Sequence, residues 1–445
     1  MNKIHFIAIA GAAMHNLAIA LKEKGYRITG SDDEIFEPAK SHLEKYGLLP
    51  PQFGWFESKI TDKIDAVILG MHARPDNPEL LKAKELGLKI YSYPEYLFEQ
   101  TKKKRRVVVA GSHGKTTITA MIIHVLHHQR IPIDFMVGSQ LEGFKNMVSL
   151  NDEAGIAVFE GDEYLSSPLD PRPKFIHYKP DIALISGIAW DHINVFPTFE
   201  KYTKQFKNLV EMIPENGHLV YFRGDDILKK LVKNAKTNVF KHAYHEHPNV
   251  EEDDQTFLVS SEGEKVPVKI FGQHNMQNIN GAKTVCNILG LSDQQFYEGI
   301  STFPGTSKRL QILEQTESFV KYLDFAHSPS KVKATVQAVR QKYPDRKLTA
   351  VLELHTFSSL NKKFIPQYSD TLNAADEVVV YFDKNVLISK NLEPITKEFV
   401  RKCFNYERIE VITERKALEE YLKQTDKHNS VLLLMSSGNF SGLKL

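Results

Sequence analysis

The 445-residue chain carries 57 Lys and Arg against 55 Asp and Glu, with 42% hydrophobic and 25% charged residues. This nearly balanced charge gives no general attraction to nucleic acid, and the composition excludes an intrinsically disordered chain. At roughly 100–200 residues per domain the length predicts two to four domains, and we expect three. Cys286 and Cys403 lack CxxC or Cys/His spacing, so neither a disulfide framework nor a zinc site is predicted.

The apolar runs indicate buried strands. The chain opens directly into Ile4–Ala10 without the charged segment and cleavage site of a signal peptide. The longest runs, such as Val431–Met435, are far shorter than the ~20 residues that cross a membrane. We therefore expect a cytoplasmic protein without membrane insertion.

The first hundred residues alternate strand-like and helix-like segments. Strands are predicted at residues 3–10, 26–29, 66–69 and 89–91, with a first helix at 14–24. This order is typical of a parallel, doubly wound sheet. The sequence thus predicts an α/β protein whose first domain, over residues 1–103, is Rossmann-like.

A glycine-containing loop then joins the apolar strand 107–110 to a helix that reaches about residue 128. It consists of Gly111, Ser112, His113, Gly114, Lys115, Thr116 and Thr117. Backbone N–H groups of such a loop, with the positive end of the helix dipole, bind phosphate oxygens. Lys115 would reach the outer phosphates, and the Thr116 hydroxyl would stand where Mg²⁺ needs an oxygen ligand. A full P-loop has glycine where Val109 stands, so an ordinary helix-start turn is the alternative.

Two polar clusters follow other apolar strands of a predicted P-loop ATPase-like central domain, residues 104–303. Glu160 and Glu163 end one strand, where carboxylates suit magnesium, although a solvated acidic turn is the alternative. His192 follows a second strand and would complete a metal shell, or is structural. Residues 241–265 are interpreted as a surface excursion.

A third alternation of strands and helices predicts a Rossmann-like C-terminal domain over residues 304–445. Before it, Asn275 and Asn278 stand at a predicted helix start, where their amides would contact a base edge or cap the helix. Within it, Arg309 is a candidate for stabilising phosphoryl-transfer charge, against the alternative of a surface arginine. Asp324 ends a strand just before His327.

In this order and spacing the motifs resemble the Mur ligases, which add amino acids or peptides to a UDP-sugar acid with ATP and Mg²⁺. The resemblance implies that Lys115, His192 and Arg309 serve catalysis, with Thr116, Glu160 and His192 as magnesium ligands. It implies that the loop 111–117, Asn275, Asn278, Arg309, Asp324 and His327 contact ATP. It further implies substrate roles for Gly11, Ser31, Asp32 and Glu163. His355, at the end of a predicted strand, is the candidate for contacting the peptide substrate.

Within the family, residues 160–178 and 435–440 look closer to a ligase for an intact peptide than to the alanine-adding enzyme. The expected reaction joins UDP-N-acetylmuramate to L-alanyl-γ-D-glutamyl-meso-diaminopimelate through an acyl phosphate, in a monomer or weak homo-oligomer. L-Alanine as acceptor is the nearest alternative. The others are a catalytically silent binding or regulatory protein and an ATPase that couples hydrolysis to motion.

Several positions depart from the family pattern. The glycine-rich first turn carries Ala8, Ala10 and Ala13, and Gly187 and Ala189 replace the usual asparagine and glutamate before His192. Phe206, with Lys207 beside it, stands where some members carry a carbamoylated lysine. These departures motivate the silent-protein alternative, and the joint presence of Lys115, Glu160, His192, Arg309 and Asp324 argues against it.

Overall fold

The computed structural model describes residues 2–190, 195–253 and 255–445, and divides the chain into two compact units. The first unit comprises Met1–Ile188, Glu200–His245 and Ile279–Phe303. The second comprises Ala189–Phe199, Glu246–Asn278 and Pro304–Leu445. Among the described residues, no helix is both long and apolar enough to cross a bilayer.

The N-terminal part of the first unit is a four-stranded parallel sheet with strand order β2-β1-β3-β4. Its strands are β1 (Lys3–Ile7), β2 (Arg27–Ser31), β3 (Ala66–Leu69) and β4 (Ile90–Ser92). Its helices are α1 (Ala12–Glu23), α2 (Ala39–Lys45), α3 (Pro78–Glu85) and α4 (Tyr93–Thr101). The first strand ends earlier than the predicted residue 10, because Ala8 has a φ of +65° and turns the chain.

The central part of the first unit is built on a seven-stranded sheet with order β13-β12-β11-β5-β8-β6-β7, in which only the β6–β7 pair is antiparallel. Its strands are β5 (Arg105–Ala110), β6 (Ile133–Met136), β7 (Val148–Ser149), β8 (Ile156–Glu160), β11 (Ile182–Ile185), β12 (His218–Phe222) and β13 (Phe240–Tyr244). A separate hairpin pairs β9 (Leu165–Ser167) with β10 (Asp170–Pro173).

The helices described between residues 104 and 303 are α5 (Lys115–His128), α6 (Lys174–Tyr178), α7 (Phe199–Glu211), α8 (Asp226–Asn234), α9 (Gln273–Ile288) and α10 (Asp293–Ser301). Residues 273–278 of α9 belong to the second unit. Strand β5 lies between β11 and β8, and its residues 107–110 are fully buried. Such continuous apolar strands are typical of a parallel sheet covered on both faces. Ligands of these sheets bind beyond the carboxyl ends of the strands, where residues 111–114, 161–163 and 186–187 follow β5, β8 and β11.

The predicted excursion at 241–265 is regular structure for most of its length. Strands β14 (Asn249–Glu252), β15 (Gln255–Val259) and β16 (Lys265–Val268) form an antiparallel three-stranded sheet. Residues 246–278 belong to the second unit, together with the C-terminal residues. The weak apolar alternation of these short strands explains why the composition alone indicated a surface segment.

The C-terminal residues of the second unit form a six-stranded sheet with order β17-β18-β22-β19-β20-β21, parallel except for the β17–β18 pair. The strands are β17 (Gln311–Gln315), β18 (Phe319–Asp324), β19 (Lys347–Glu353), β20 (Glu377–Tyr381), β21 (Ile409–Ile412) and β22 (Ser430–Met435). The helices are α11 (Pro329–Lys342), α12 (Lys384–Ser389), α13 (Lys397–Phe404) and α14 (Arg415–Lys423). Apolar clusters lie on both faces of this sheet, as in a doubly wound domain.

Candidate active site

The loop between β5 and α5 requires glycine at two positions. Gly111 has a φ of +123°, and a Cβ atom there would lie 2.3 Å from the Ser186 Oγ. Gly114, immediately before α5, has a φ of +70°. L-amino acids are strained in this left-handed region, whereas glycine is not. The loop therefore has the backbone that the sequence predicts for phosphate binding, with the N-terminus of a 14-residue helix behind it.

Lys115, the first residue of α5, is held at the opening of this loop. Its Nζ donates to the Gly111 carbonyl at 2.9 Å and to Glu163 Oε2 at 2.8 Å. Burial acts to lower the pKa of Lys115, but the carboxylates of Glu163 and Asp162 outweigh it and leave the pKa above its usual range. The ammonium is thus charged at neutral pH and paired with a carboxylate that is only 1% exposed.

Thr116 and Glu160 meet as the sequence predicts. The Thr116 hydroxyl donates to Glu160 Oε1 at 2.7 Å, and the Gly138 N–H donates to Glu160 Oε2 at 2.6 Å. A Cβ atom at Gly138 would lie 2.8 Å from Glu160 Oε2, so this glycine makes room for the carboxylate. Burial, and after it the charge of Asp162, raise the pKa of Glu160.

These residues fit a magnesium nucleotide. A hydroxyl and a carboxylate are the hard oxygen ligands that Mg²⁺ prefers, and a bound cation would offset the cost of burying the Glu160 charge. Thr117 is also buried on the first turn of α5. His192, the third predicted magnesium ligand, lies outside the described residues, as do Asp191 to Asn194.

A contact that sequence reasoning missed joins the loop to α7. The Ser112 Oγ lies 2.8 Å from the Tyr202 hydroxyl, which donates to Glu163 Oε1 at 3.2 Å. One turn later on α7, Phe206 is fully buried against Phe175. Lys207 is 56% exposed and pairs with Glu211 on the surface of the helix. Phe206, which the resemblance places at the carbamoylated-lysine position of other members, therefore lies in apolar core.

Gly187, a departure from the family pattern, has a conformational role. Its φ is +146°, and its carbonyl accepts the Ser112 N–H at 3.0 Å. A side chain would be strained at this φ, and a Cβ atom would lie 3.3 Å from Asp225 Oδ2. The glycine therefore supports the phosphate loop through its backbone.

The predicted sugar-binding residues of the N-terminal sheet lie at the carboxyl ends of β1 and β2. Ser31 accepts the Ala8 and Ile9 N–H groups through its carbonyl and the Lys59 ammonium at 2.8 Å through its hydroxyl. Asp32 accepts the Ala10 N–H at 2.7 Å, and burial raises its pKa to about 6. Both residues thus shape the turn that precedes Gly11, the residue before α1.

Arg309 and Asp324 lie next to the first two strands of the C-terminal sheet, since Arg309 precedes β17 and Asp324 ends β18. The Arg309 guanidinium lies 4.5 Å from the centre of the Phe325 ring. Asp324 accepts the Leu310 N–H at 2.8 Å and the Ala326 N–H at 2.7 Å. This carboxylate consequently fixes the two segments that carry Arg309 and His327.

Asn275 and Asn278 lie on the first turns of α9, and both are buried. Asn275 Nδ2 donates to the Phe271 carbonyl at 2.8 Å, and its Oδ1 accepts from Asn278 Nδ2 at 3.3 Å. Burial lowers the pKa of the neighbouring His274. The two amides are therefore oriented by each other.

His355 follows β19 and meets the loop that follows β22. Its Nδ1 lies 3.8 Å from Glu353 Oε1, and Glu353 Oε2 accepts the Phe440 N–H at 2.9 Å. The Ser436 hydroxyl also donates to Glu353. A Cβ atom at Gly438 would lie 2.9 Å from the His355 ring, so the loop approaches this histidine closely.

Comparison with known proteins agrees with this arrangement. The Mur ligase family, catalytic domain, matches residues 3–105; the Mur ligase middle domain matches 109–286; and the Mur ligase, glutamate ligase domain, matches 308–438. A UDP-N-acetylmuramate–L-alanine ligase of Caldicellulosiruptor bescii is 30% identical, over 89% of this chain and 87% of that protein. The chain belongs to the Mur ligase family. As a Mur ligase it is an ATP-dependent ligase with the three α/β domains predicted from the sequence.

The chain is also similar to Mur ligases that are named for different acceptors. The UDP-N-acetylmuramate–L-alanyl-γ-D-glutamyl-meso-2,6-diaminoheptandioate ligase of Haemophilus influenzae is 28% identical, over 100% of this chain and 98% of that protein. The crystal structure of a UDP-N-acetylmuramate–alanine ligase from Thermotoga maritima shares the fold, with a TM-score of 0.72 at 20% identity, covering 99% and 97% of the two chains. Among the most similar curated relatives, those named for L-alanine outnumber those named for the tripeptide. The limits 1–103, 104–303 and 304–445 and the oligomeric state stay predictions.

Proposed function

We propose that this Mur ligase joins the carboxyl group of UDP-N-acetylmuramate to the amine of an L-alanyl acceptor in peptidoglycan synthesis, with free L-alanine as the acceptor. The observation that supports it is the phosphate loop with Lys115, Thr116 and Glu160 in a chain similar over nearly its whole length to UDP-N-acetylmuramate–L-alanine ligases. Free L-alanine and the tripeptide L-alanyl-γ-D-glutamyl-meso-diaminopimelate both present an L-alanyl amine, so the same amide bond is formed with either acceptor.

The proposed chemistry has two steps. A carboxylate oxygen of the sugar acid attacks the γ-phosphorus of ATP, and the bond to the ADP oxygen breaks. The amine then attacks the carbonyl carbon of the acyl phosphate, inorganic phosphate leaves with the former carboxylate oxygen, and the nitrogen loses a proton. Because no protein nucleophile is needed, the side chains contribute positioning and charge stabilisation.

Lys115 is proposed to bind the outer phosphates by exchanging Glu163 for phosphate oxygens. Its raised pKa keeps the ammonium charged for that purpose. Thr116, Glu160 and His192 are proposed to hold Mg²⁺, which supplies Lewis-acid stabilisation of the transferring phosphoryl oxygens. Arg309, Asp324 and His327 are proposed ATP contacts of the C-terminal domain, and Asn275 and Asn278 those of the base.

The N-terminal domain is proposed to bind the UDP-sugar. Gly11, Ser31 and Asp32 lie at the carboxyl ends of β1 and β2, where nucleotides bind in sheets of this type. The Asp32 contact to the Ala10 N–H supports a turn that would expose backbone donors to the ligand. Glu163 is proposed to act in the central domain, beside the reacting carboxyl.

The tripeptide is the second candidate acceptor. The Haemophilus influenzae relative, whose name specifies that peptide, matches the full length of this chain. The hairpin β9–β10 and α6 carry the sequence from Leu165 to Tyr178 on which the peptide-ligase resemblance rests. His355 and the loop 436–440 are proposed to contact the acceptor, because they meet at the carboxyl ends of β19 and β22.

The test is phosphate release from ATP and Mg²⁺ with UDP-N-acetylmuramate, measured with no acceptor, with L-alanine and with the tripeptide, and with each product identified by mass. Release that depends on L-alanine, with a mass gain of one alanyl residue, supports the main proposal. Release that depends only on the tripeptide establishes the second candidate. Acceptor-independent release indicates an ATPase, and no release on any combination indicates the silent binding protein.

A further inference from the structure

Three polar groups from different elements meet beside the phosphate loop. Ser112 lies in the loop, Glu163 follows β8, and Tyr202 lies on α7. The Tyr202 hydroxyl is 2.8 Å from the Ser112 Oγ and 3.2 Å from Glu163 Oε1. All three side chains are buried, and Tyr202 has no exposed surface at all.

The direction of these hydrogen bonds follows from the chemistry of the groups. An ionised carboxylate only accepts, so the Tyr202 hydroxyl donates to Glu163 and its oxygen accepts from Ser112. The second oxygen of Glu163 accepts the Lys115 ammonium at 2.8 Å. A continuous chain of hydrogen bonds thus runs from the loop hydroxyl through Tyr202 and Glu163 to Lys115.

We infer that Tyr202 is a positioning residue for nucleotide binding, a role that rests on the proposed binding of ATP at this loop. Its hydroxyl orients Ser112 and Glu163 and thereby sets where Lys115 stands when a triphosphate arrives. Tyr202 acts through these groups and does not itself touch the reacting atoms.

The position of Tyr202 on α7 brings its hydroxyl to the phosphate loop. Residues four apart on a helix lie on the same face, so Tyr202 and Phe206 both point inward from α7, with their ring centres 5.3 Å apart. Phe206 is anchored in the apolar core against Phe175. A rigid aromatic anchor one turn away fixes the phenol, so its hydroxyl has little freedom to leave the loop.

The energetic consequence concerns Glu163. When Lys115 turns from Glu163 to phosphate oxygens, the Glu163 carboxylate, which is 1% exposed, loses this ion pair. The Tyr202 hydrogen bond stabilises that carboxylate and lowers the cost of releasing the lysine. This hydrogen bond matters more once the lysine has left the carboxylate, so its loss is expected to weaken nucleotide binding about tenfold, which corresponds to about 1.4 kcal/mol.

The test compares Tyr202→Phe with the wild-type protein by calorimetric titration of a non-hydrolysable ATP analogue with Mg²⁺. We expect about a tenfold rise in Kd, and in turnover about a tenfold rise in the KM for ATP with kcat changed less than threefold. The matched control is Tyr322→Phe, which removes a buried hydroxyl bonded to the Tyr343 hydroxyl at 2.8 Å in the C-terminal sheet. That variant is expected to bind the analogue like the wild type.

A structural role gives a different pattern, because loss of folded protein lowers kcat and leaves both Kd and KM unchanged. That pattern, or an unchanged Kd in Tyr202→Phe, overturns the inference. Ser112→Ala combined with Tyr202→Phe is expected to bind no more weakly than the weaker single variant, and additive losses contradict the shared contact. If the wild type binds the analogue but forms no amide, the proposed function fails while the role of Tyr202 in binding is still measured.

Discussion

At the scale of single residues, the candidate site is defined by charged side chains that are largely buried. Lys115 and Glu163 neutralise each other at 2.8 Å, whereas Glu160 is offered a hydroxyl and an N–H but no cation within hydrogen-bond distance in the described contacts. Burial raises the pKa of Glu160, so its ionised form is costly in the metal-free protein. The two carboxylates therefore have different surroundings, one paired with a lysine and the other suited to its proposed role as a metal ligand.

Replacing Lys115 by methionine keeps the flexible stem and removes the ammonium. We expect kcat/KM for ATP to fall by about 10²–10³-fold, because a fixed charge opposite the transferring phosphoryl group is lost. Steady-state kinetics of the purified variant measure this fall in kcat/KM. Lys207→Met on the exposed face of α7 is the matched control and should keep wild-type kinetics. Retention of more than a third of the activity by Lys115→Met contradicts the assignment.

Glu160→Gln is expected to separate stability from activity. A carboxyl whose pKa is raised in the folded state holds its proton more tightly there than in the unfolded chain. The wild type therefore loses stability as pH rises from the unfolded value of about 4.3 through the raised folded value. The neutral amide avoids this loss, so at pH 7.5 without Mg²⁺ the variant should melt about 1–2 °C higher, while its ligase activity is lost. A lower melting temperature together with full activity contradicts the metal role.

At the scale of elements, the site is made where parallel strands end. The loop after β5, the carboxylates after β8 and the Ser186-Gly187 turn after β11 come together because these three strands are neighbours in the sheet. Glycines at these ends make the close approaches possible. Gly138, after β6, leaves the space that the Glu160 carboxylate occupies.

Gly138→Ala is expected to displace that carboxylate, because the new methyl group would lie 2.8 Å from Glu160 Oε2. The magnesium concentration that gives half-maximal activity should rise about tenfold, which corresponds to about 1.4 kcal/mol. Initial rates measured over a range of Mg²⁺ concentrations give this half-maximal concentration. Gly155→Ala is the control, since nothing lies within 4 Å of a Cβ atom there. An equal rise in the half-maximal magnesium concentration in both variants would contradict this explanation.

The sequence predicted those features that are encoded locally. The apolar strands and the glycine loop identified β5, α5 and their neighbours, and residues 160–163 were correctly placed at a strand end. The Tyr202 contact was missed because it joins residues 90 and 39 positions apart, and no local pattern specifies such a pair. The early end of β1 was missed because Ala8 takes a φ of +65° that its residue type does not signal.

At the scale of the whole molecule, the Mur ligase domains account for nearly all of the chain, since the three family matches run from residue 3 to residue 438. Each carries one predicted part of the reaction: sugar binding, phosphoryl transfer, and contacts to ATP and the acceptor. What distinguishes a ligase from an ATPase with the same loop is the path of one oxygen atom. In the proposed reaction the oxygen that leaves with phosphate comes from the sugar acid, and in an ATPase it comes from water.

The most direct measurement is therefore the reaction of UDP-N-acetylmuramate labelled with ¹⁸O in its carboxyl group, with ATP, Mg²⁺ and L-alanine or the tripeptide. Mass spectrometry of the released phosphate is expected to show one ¹⁸O atom per phosphate, together with an amide product that has lost one labelled oxygen. Unlabelled phosphate in ordinary water, with the sugar acid recovered unchanged, would contradict the ligase mechanism and indicate hydrolysis of ATP alone.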